Sequence, residues 1–469
     1  MLDYGNFSIL MSGVSFLNVV YTYGMETAYF RFSSNGGDQK SLFQTAFTSL
    51  LVSTFLLSTI LILLRVPIAN YEEMSNHPEY ITWCVLIIAF DTLSAIPYAR
   101  LRQEERPRKY AFTRVAGIVV NIVITIFLIA YYPTHKSVLA GTAFAGWYAR
   151  NNNAGFMVVA TLAGSILTFL LLAKEWMAYR FRFDAALWKK IFIYSSPMII
   201  IGLGGMVNET FDRQMLGKLL PGGEALAKAT VGIYSSNYKI AIFITLFITA
   251  FRMSAEPFFF SQASDKNAPQ TYAKVMKWFI IVLCFAFLFT ALYIDIWQYF
   301  EGASYRSGLG VVPILLAANV CLGIYYNLSA WYKITNNMRF GMLITLIGAA
   351  ITLVVNFAFI PKFGMYACAW ATLAAYFSMM VISYFMGQKY FPVPYNMKKL
   401  LAYLGVMLLL FFAQRLVVYL TPNVVVHLLS ASVLMLLFLR LVFEAEKAEI
   451  SKMPFIGKFV RGVGPAPGK

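Results

Sequence analysis

Two long apolar segments within residues 189–260 are interrupted by Glu209, Asp212, Arg213, Lys239, Arg252 and Glu256. At the centre of an apolar membrane helix each such charge costs about 2.5–3.5 kcal/mol, so each needs a partner or a water-filled cavity. Two chemistries suit these residue types. Arg252 carries the planar, permanently charged fork that fits a diphosphate, although an arginine so late in a segment also suits end-snorkelling or an ion pair with Glu256 or Glu26. Lys239 lies about two turns into its helix with Asn237 beside it; on a regular helix Asn237 and Arg252 lie about 60° apart, whereas Lys239 and Arg252 face roughly opposite ways. Lys239 therefore belongs to a cavity or to a pair with Asp212 or Glu209. Glu209, Asp212 and Arg213 share one face by their i, i+3 and i, i+4 spacing, as a gate latch or a static interfacial cluster.

Earlier in the chain Glu26, Asp91 and Arg114 are the charges in or near apolar segments. A desolvated carboxylate at Glu26 or Asp91 could exchange a proton or Na⁺, or simply pair with Arg114. Arg31 suits either an anion-attracting role or a topology-setting one. No P-loop, GxSxG, HExxH or GxGxxG stands in a suitable strand–helix context, which argues against an enzyme and against ATP hydrolysis. The four cysteines, Cys84, Cys284, Cys321 and Cys368, lie in apolar segments without paired spacing and read as packing residues. With His77, His135 and His427 scattered, neither a metal nor a cofactor is expected.

The elements that must position these groups are membrane helices. Of the 469 residues, 59% are hydrophobic and 13% charged, outside the range of soluble globular chains. Thirteen apolar segments centre near residues 17, 54, 90, 121, 165, 201, 243, 285, 320, 349, 375, 408 and 433, each long enough to cross a bilayer and too long for barrel strands. The net charge of +17 resides in loops, so it is a topology signal and not a nucleic-acid footprint. Basic residues gather at Arg31 and Lys40, at Arg100 to Lys109, at Lys174 to Lys190, at Lys266 to Lys277, at Lys333 and Arg339, and from Lys389 to the end, marking one face as cytoplasmic. An odd number of spans with a cytoplasmic C-terminus puts residue 1 outside.

Pro197, Asp212-Arg213, Leu216-Gly217, Gly232-Ile233-Tyr234, Lys239, and the run Ala250-Phe251-Arg252 to Glu256-Pro257-Phe258 resemble the middle of polysaccharide-type oligosaccharide flippases. These belong to the multidrug/oligosaccharidyl-lipid/polysaccharide exporter superfamily, and this form resembles the Bacteroidetes-type branch. Tyr4-Gly5, then Gly24-Met25-Glu26-Thr27-Ala28 and Phe30-Arg31-Phe32, resemble the same family's second helix. The resemblance implies an all-α polytopic fold with thirteen of the family's fourteen helices, the first being missing. It implies two pseudo-symmetric six-helix bundles, 1–182 and 183–390, an appended helix pair, 391–444, and a basic cytoplasmic tail, 445–469. A faint repeat agrees: Tyr4-Gly5 with Ala28 and Phe32 matches Val231-Gly232 with Ala255 and Phe259 at a shift of 227 residues.

The implied activity is movement of an undecaprenyl-diphosphate-linked oligosaccharide from the cytoplasmic to the periplasmic leaflet of the inner membrane, for O-antigen, capsule or exopolysaccharide assembly. Arg252, Arg31, Lys239 and Asn237 would meet the head group in a cavity, and Glu26 or Asp91 would carry a coupling H⁺ or Na⁺. The rivals are an organic-cation antiporter of the same superfamily, a peptidoglycan-precursor flippase, and a lipid-linked-glycan polymerase or glycosyltransferase, the last disfavoured by short outer loops.

Overall fold

The computed structural model describes residues 1–34, 38–104, 106–135, 141–177, 180–262, 265, 267–335 and 337–451, with the backbone alone at a few helical positions that include Glu256. Most of these residues are helical. The first half runs through α1 (Leu2–Thr22), α2 (Met25–Ser34), α3 (Gln39–Leu63), α4 (Arg65–Tyr71), α5 (Pro78–Gln103), α6 (Pro107–Ile126), α7 (Ala143–Arg150), α8 (Asn153–Leu171), α9 (Ala173–Trp176), α10 (Ala185–Glu209) and α11 (Phe211–Leu219). The second runs through α12 (Glu224–Gln262), α13 (Ala268–Leu292), α14 (Ile294–Trp297), α15 (Val312–Leu328), α16 (Ala330–Ile334), α17 (Met338–Phe363), α18 (Met365–Tyr390), α19 (Met397–Leu420) and α20 (Val424–Ile450). Thirteen helical segments among the described residues are long and apolar enough to cross a membrane, one for each apolar segment of the sequence. The protein is an all-α, multi-pass membrane protein.

Local chemistry explains where these helices start. Asp38 accepts from the backbone N–H groups of Lys40 and Ser41, Asp184 from that of Leu187, and Asn152 from that of Gly155, each satisfying an orphan donor of a first turn. Pro78 and Pro107 open α5 and α6, where the missing N–H costs nothing.

Two breaks depart from a plain reading of apolar segments. The first span divides at Tyr23 and Gly24, whose φ angles are 34° and 70°. Gly24 also lies against α10, where a Cβ would stand 2.8 Å from that of Met198 and 3.1 Å from the Ser195 carbonyl, so both conformation and space require glycine. The sixth span ends at Glu209, and Thr210 (φ −132°, ψ −20°) separates α10 from α11. Glu209 thus ends one helix while Asp212 and Arg213 begin the next, and the single helical face expected from their spacing is not formed.

By packing the chain falls into two compact units: Met1–Ser235 with Gly341–Ala375, and Ser236–Phe340 with the residues from Tyr376 on. In the first, α10 packs on α1, α2 and α3, so this unit extends past residue 182. The Trp188 indole donates to the Ser49 hydroxyl at 2.8 Å, and Tyr23 shares that hydroxyl at 2.6 Å. Asn208 of α10 and Thr352 of α17 are joined by a 2.8 Å hydrogen bond. The two glycines of the sequence repeat meet here: a Cβ on Gly5 would lie 1.8 Å from the Lys228 carbonyl oxygen and 3.2 Å from the Gly232 nitrogen, and one on Gly232 would lie 2.5 Å from the Met1 carbonyl oxygen. The repeat-related starts of α1 and α12 are therefore in backbone contact.

In the second unit α13 is the central post, packed on α15, α19 and α20. Phe251 of α12 stacks on Phe279 of α13 at 3.8 Å between ring centroids. The helix pair α19–α20 is tied to α13 by a buried ionic network. Glu446 accepts from Lys277 and Lys399, both at 2.7 Å, and from the Tyr403 hydroxyl at 2.5 Å, while Lys277 also reaches Glu449 at 2.7 Å. Fully satisfied, such a network gives the helix pair one register.

Candidate functional site

In the first unit, charged residues from α2, α5 and α6 alternate with aromatic rings. Glu26, in the first turn of α2, is ion-paired with Arg102 of α5. The Arg102 guanidinium also lies over the rings of Phe30 (4.8 Å) and Tyr110 (5.6 Å). Arg114 of α6 lies 4.3 Å above the Tyr98 ring and acts through space on Asp91, which is hydrogen-bonded to the Ser165 hydroxyl of α8. The two candidate carboxylates thus have different cations: Asp91 has Arg114, and Glu26 has Arg102, which the sequence reading counted only among loop charges. Just outside the α5 span, burial pushes the Glu104 carboxyl up, but hydrogen bonds from Arg100 and Arg106 outweigh this and hold it below its ordinary value. Arg31, in the last turn of α2, is exposed, its guanidinium 4.2 Å above the ring of Tyr194 on α10.

A second cluster of this unit lies at the α10–α11 break. Asp212 is 1% exposed and accepts from the Tyr234 hydroxyl at 2.6 Å and from Arg213 at 3.0 Å. Arg213 bonds the Glu209 carbonyl at 2.7 Å, while the Glu209 side chain is on the exposed side of the chain. Ionic and hydrogen-bonded closure around Asp212 makes this a tightly packed joint, and Tyr234 is the member that spacing could not supply, since it comes from α12.

In the second unit Arg252 is exposed, with its guanidinium 4.2 Å above the Tyr326 ring of α15. Ser329 and Lys333 line the same small recess, adding a second cation beside the arginine. The face of a tyrosine ring attracts a guanidinium and helps to fix its position. Asn237 is fully buried and donates to the Tyr305 carbonyl at 2.8 Å, which employs it in fixing the turn before α15. Its neighbour Ser236 is hydrogen-bonded to Glu301. Lys239 is exposed on the same helix. The Glu256 side chain lies outside the described residues, as do residues 452–469 of the basic tail. Among the described residues no group of three His, Cys, Asp or Glu side chains could hold a metal ion.

Chemically, then, each unit presents an exposed arginine over a tyrosine ring, Arg31 over Tyr194 and Arg252 over Tyr326, an arrangement for oxyanions. Buried Asp212 is engaged by Arg213, whereas buried Glu301 is met by the Ser236 hydroxyl. Tyr194 and Tyr326 escaped the sequence reading, and Lys333 was counted there only among loop charges, because each comes to its arginine from another helix and no spacing along the chain encodes that.

Comparison with known proteins agrees with this architecture. The structure is similar to that of lipid II flippase MurJ in an inward closed conformation, with a TM-score of 0.67 at 16% identity over 95% of this chain and 93% of the other. It is similar to an inward-facing multidrug resistance MATE family transporter of the MOP superfamily, with a TM-score of 0.63 at 15% identity over 83% and 89% of the two chains. A MATE transporter of Vibrio cholerae gives 0.53 at 11% identity over 82% and 86%. At such identities the likeness is one of fold. No curated protein matches the sequence. Residues 1–263 match the family model described as polysaccharide biosynthesis protein. With more than half of its length so matched, the chain belongs to the polysaccharide biosynthesis protein family.

Proposed function

We propose that this protein is a flippase that moves an undecaprenyl-diphosphate-linked oligosaccharide from the cytoplasmic to the periplasmic leaflet, by alternating access, for surface polysaccharide assembly. The observation that carries the reading is the pair of exposed arginines, Arg31 and Arg252, each with its guanidinium 4.2 Å above a tyrosine ring. Seated in this way, a guanidinium offers a fixed, permanently charged fork to a diphosphate. Lys333, beside Arg252, and Lys239, on the same helix as Arg252, add positive charge. Family membership and the MurJ-like fold support the same reading. In it, the protein sits in the bacterial inner membrane with its C-terminus in the cytoplasm, consistent with its basic loops. Affinity for the head group stays modest, because a complex stabilised too far in one state would not turn over.

Asp91 is the better candidate for coupling to H⁺ or Na⁺, since Glu26 is tied directly to Arg102. The MATE-like fold keeps an organic-cation antiporter as the second reading.

The test is the pool of undecaprenyl-diphosphate-linked oligosaccharides, measured by mass spectrometry in cells lacking the protein and in cells carrying Arg252→Ala. Accumulation of a complete repeat unit in both, cleared by the wild-type gene, is expected. An unchanged pool rejects the flippase reading and favours the antiporter.

A further inference from the structure

The first unit contains a cavity of about 440 Å³ that the transport reading does not use. This lies within the range of about 300–1,000 Å³ typical of ligand sites. Its body is apolar, walled by Gly13 and Phe16 of α1 and Phe211 of α11, among others. Gln214 also faces it, but its amide nitrogen is spent on the Ile9 carbonyl (2.9 Å) and the Ser12 hydroxyl (3.1 Å).

Charge enters the lining only through Glu72 and Lys218. Both lie between candidate spans: Glu72 between those ending at Leu63 and starting at Pro78, Lys218 between those ending at Glu209 and starting at Glu224. Gly13 and Phe16 lie inside the span Leu2–Ser33. The cavity therefore runs from membrane depth to the flank of the membrane, apolar along its body and charged at its end. The two charges are opposite and adjacent. Lys218 bonds the Tyr71 carbonyl and reaches Glu73 at 3.7 Å, which leaves donor capacity on an ammonium with three N–H groups. Glu72 accepts no hydrogen bond among the described residues, and it feels Lys218 and Lys228 only through space.

We infer that this cavity binds a membrane phospholipid with a zwitterionic head group, a hydrocarbon chain in the apolar body, the phosphate at Lys218 and the ammonium at Glu72. The match is one of shape and charge order together. A lipid with an anionic head and no ammonium would leave Glu72 facing like charge, so head-group selectivity follows from the same geometry.

Native mass spectrometry of the delipidated protein in detergent tests this, titrating phosphatidylethanolamine, phosphatidylglycerol and free phosphoethanolamine. One phosphatidylethanolamine adduct is expected, roughly tenfold tighter than phosphatidylglycerol, the size of one lost charge-assisted hydrogen bond. Free phosphoethanolamine should not compete at equal concentration. Gly13→Leu should abolish the adduct by filling the body. A Cβ at Gly13 meets only the Gln214 amide nitrogen, at 3.7 Å, so the variant should fold, and an undiminished melting temperature would verify this. Glu72→Gln should keep the adduct and lose the head-group preference. The proposal is overturned if wild type binds both lipids alike, if free phosphoethanolamine competes fully, or if Gly13→Leu binds as wild type does.

Discussion

At the residue scale, Asp212 and Glu209 differ sharply although three positions apart. Asp212 is buried and doubly bonded by Tyr234 and Arg213. Removing it takes a buried counter-charge from Arg213 and an acceptor from the Tyr234 hydroxyl, so Asp212→Ala should cost about 3–5 kcal/mol, read as a large drop in detergent melting temperature. Glu209→Gln, on an exposed side chain, should stay within about 0.5 kcal/mol of wild type. Glu72 offers a pH-dependent case. Burial raises its carboxyl above the ordinary value of 4.5, against the pull of Lys218 and Lys228. The folded state therefore holds this proton more tightly than the unfolded chain. The penalty of ionising the buried carboxyl is absent below pH 4.5 and grows as pH rises through the raised folded value. In lipid-free detergent, Glu72→Gln should match wild type at about pH 4 and be the more stable protein at about pH 7–8. A stability difference that is constant with pH would contradict this. The charged positions themselves were legible in the sequence, because ions in apolar segments stand out. Their partners were not: Tyr194, Tyr326 and Arg102 come from other helices.

At the element scale, the two repeat-related glycines make a clear prediction. Gly5→Ala would drive a methyl to 1.8 Å from the Lys228 carbonyl oxygen, a backbone atom that cannot rotate away. Separating α1 from α12 should cost about 1–3 kcal/mol, as overpacking does, whereas Gly13→Ala meets only ordinary contact and should be neutral or stabilising. Equal melting temperatures for the two variants would refute the close crossing. The Glu446 network predicts that Glu446→Ala loosens α19–α20 from α13, leaving Lys277 poorly compensated in the interior. Hydrogen exchange over Met397–Ile450 should rise while that of α5 and α8 stays unchanged. Apolar length located all thirteen spans, since crossing a bilayer demands about twenty apolar residues whatever else the helix does. The breaks at Tyr23–Gly24 and Thr210 were invisible to that criterion. Gly24 gave a local hint through its freedom at positive φ, whereas nothing in Thr210 itself announces a helix end.

At the scale of the whole molecule, the chain belongs to a polysaccharide biosynthesis family and shares its fold with a lipid II flippase and with MATE transporters. One scaffold therefore accompanies both amphiphile flipping and drug export, and the distinction rests on which groups are left exposed. Here those include Arg31 and Arg252 over tyrosine faces, while Glu26 and Asp212 are engaged by Arg102 and Arg213. The direct measurement is transbilayer movement of an undecaprenyl-diphosphate-linked oligosaccharide in proteoliposomes, followed by the access of an added glycosidase to the sugar. The account predicts movement by the wild type and a slowing of roughly tenfold or more in Arg252→Ala, the size of one lost charge-assisted contact to the diphosphate. No movement by the wild type, or equal rates for the two proteins, would contradict it.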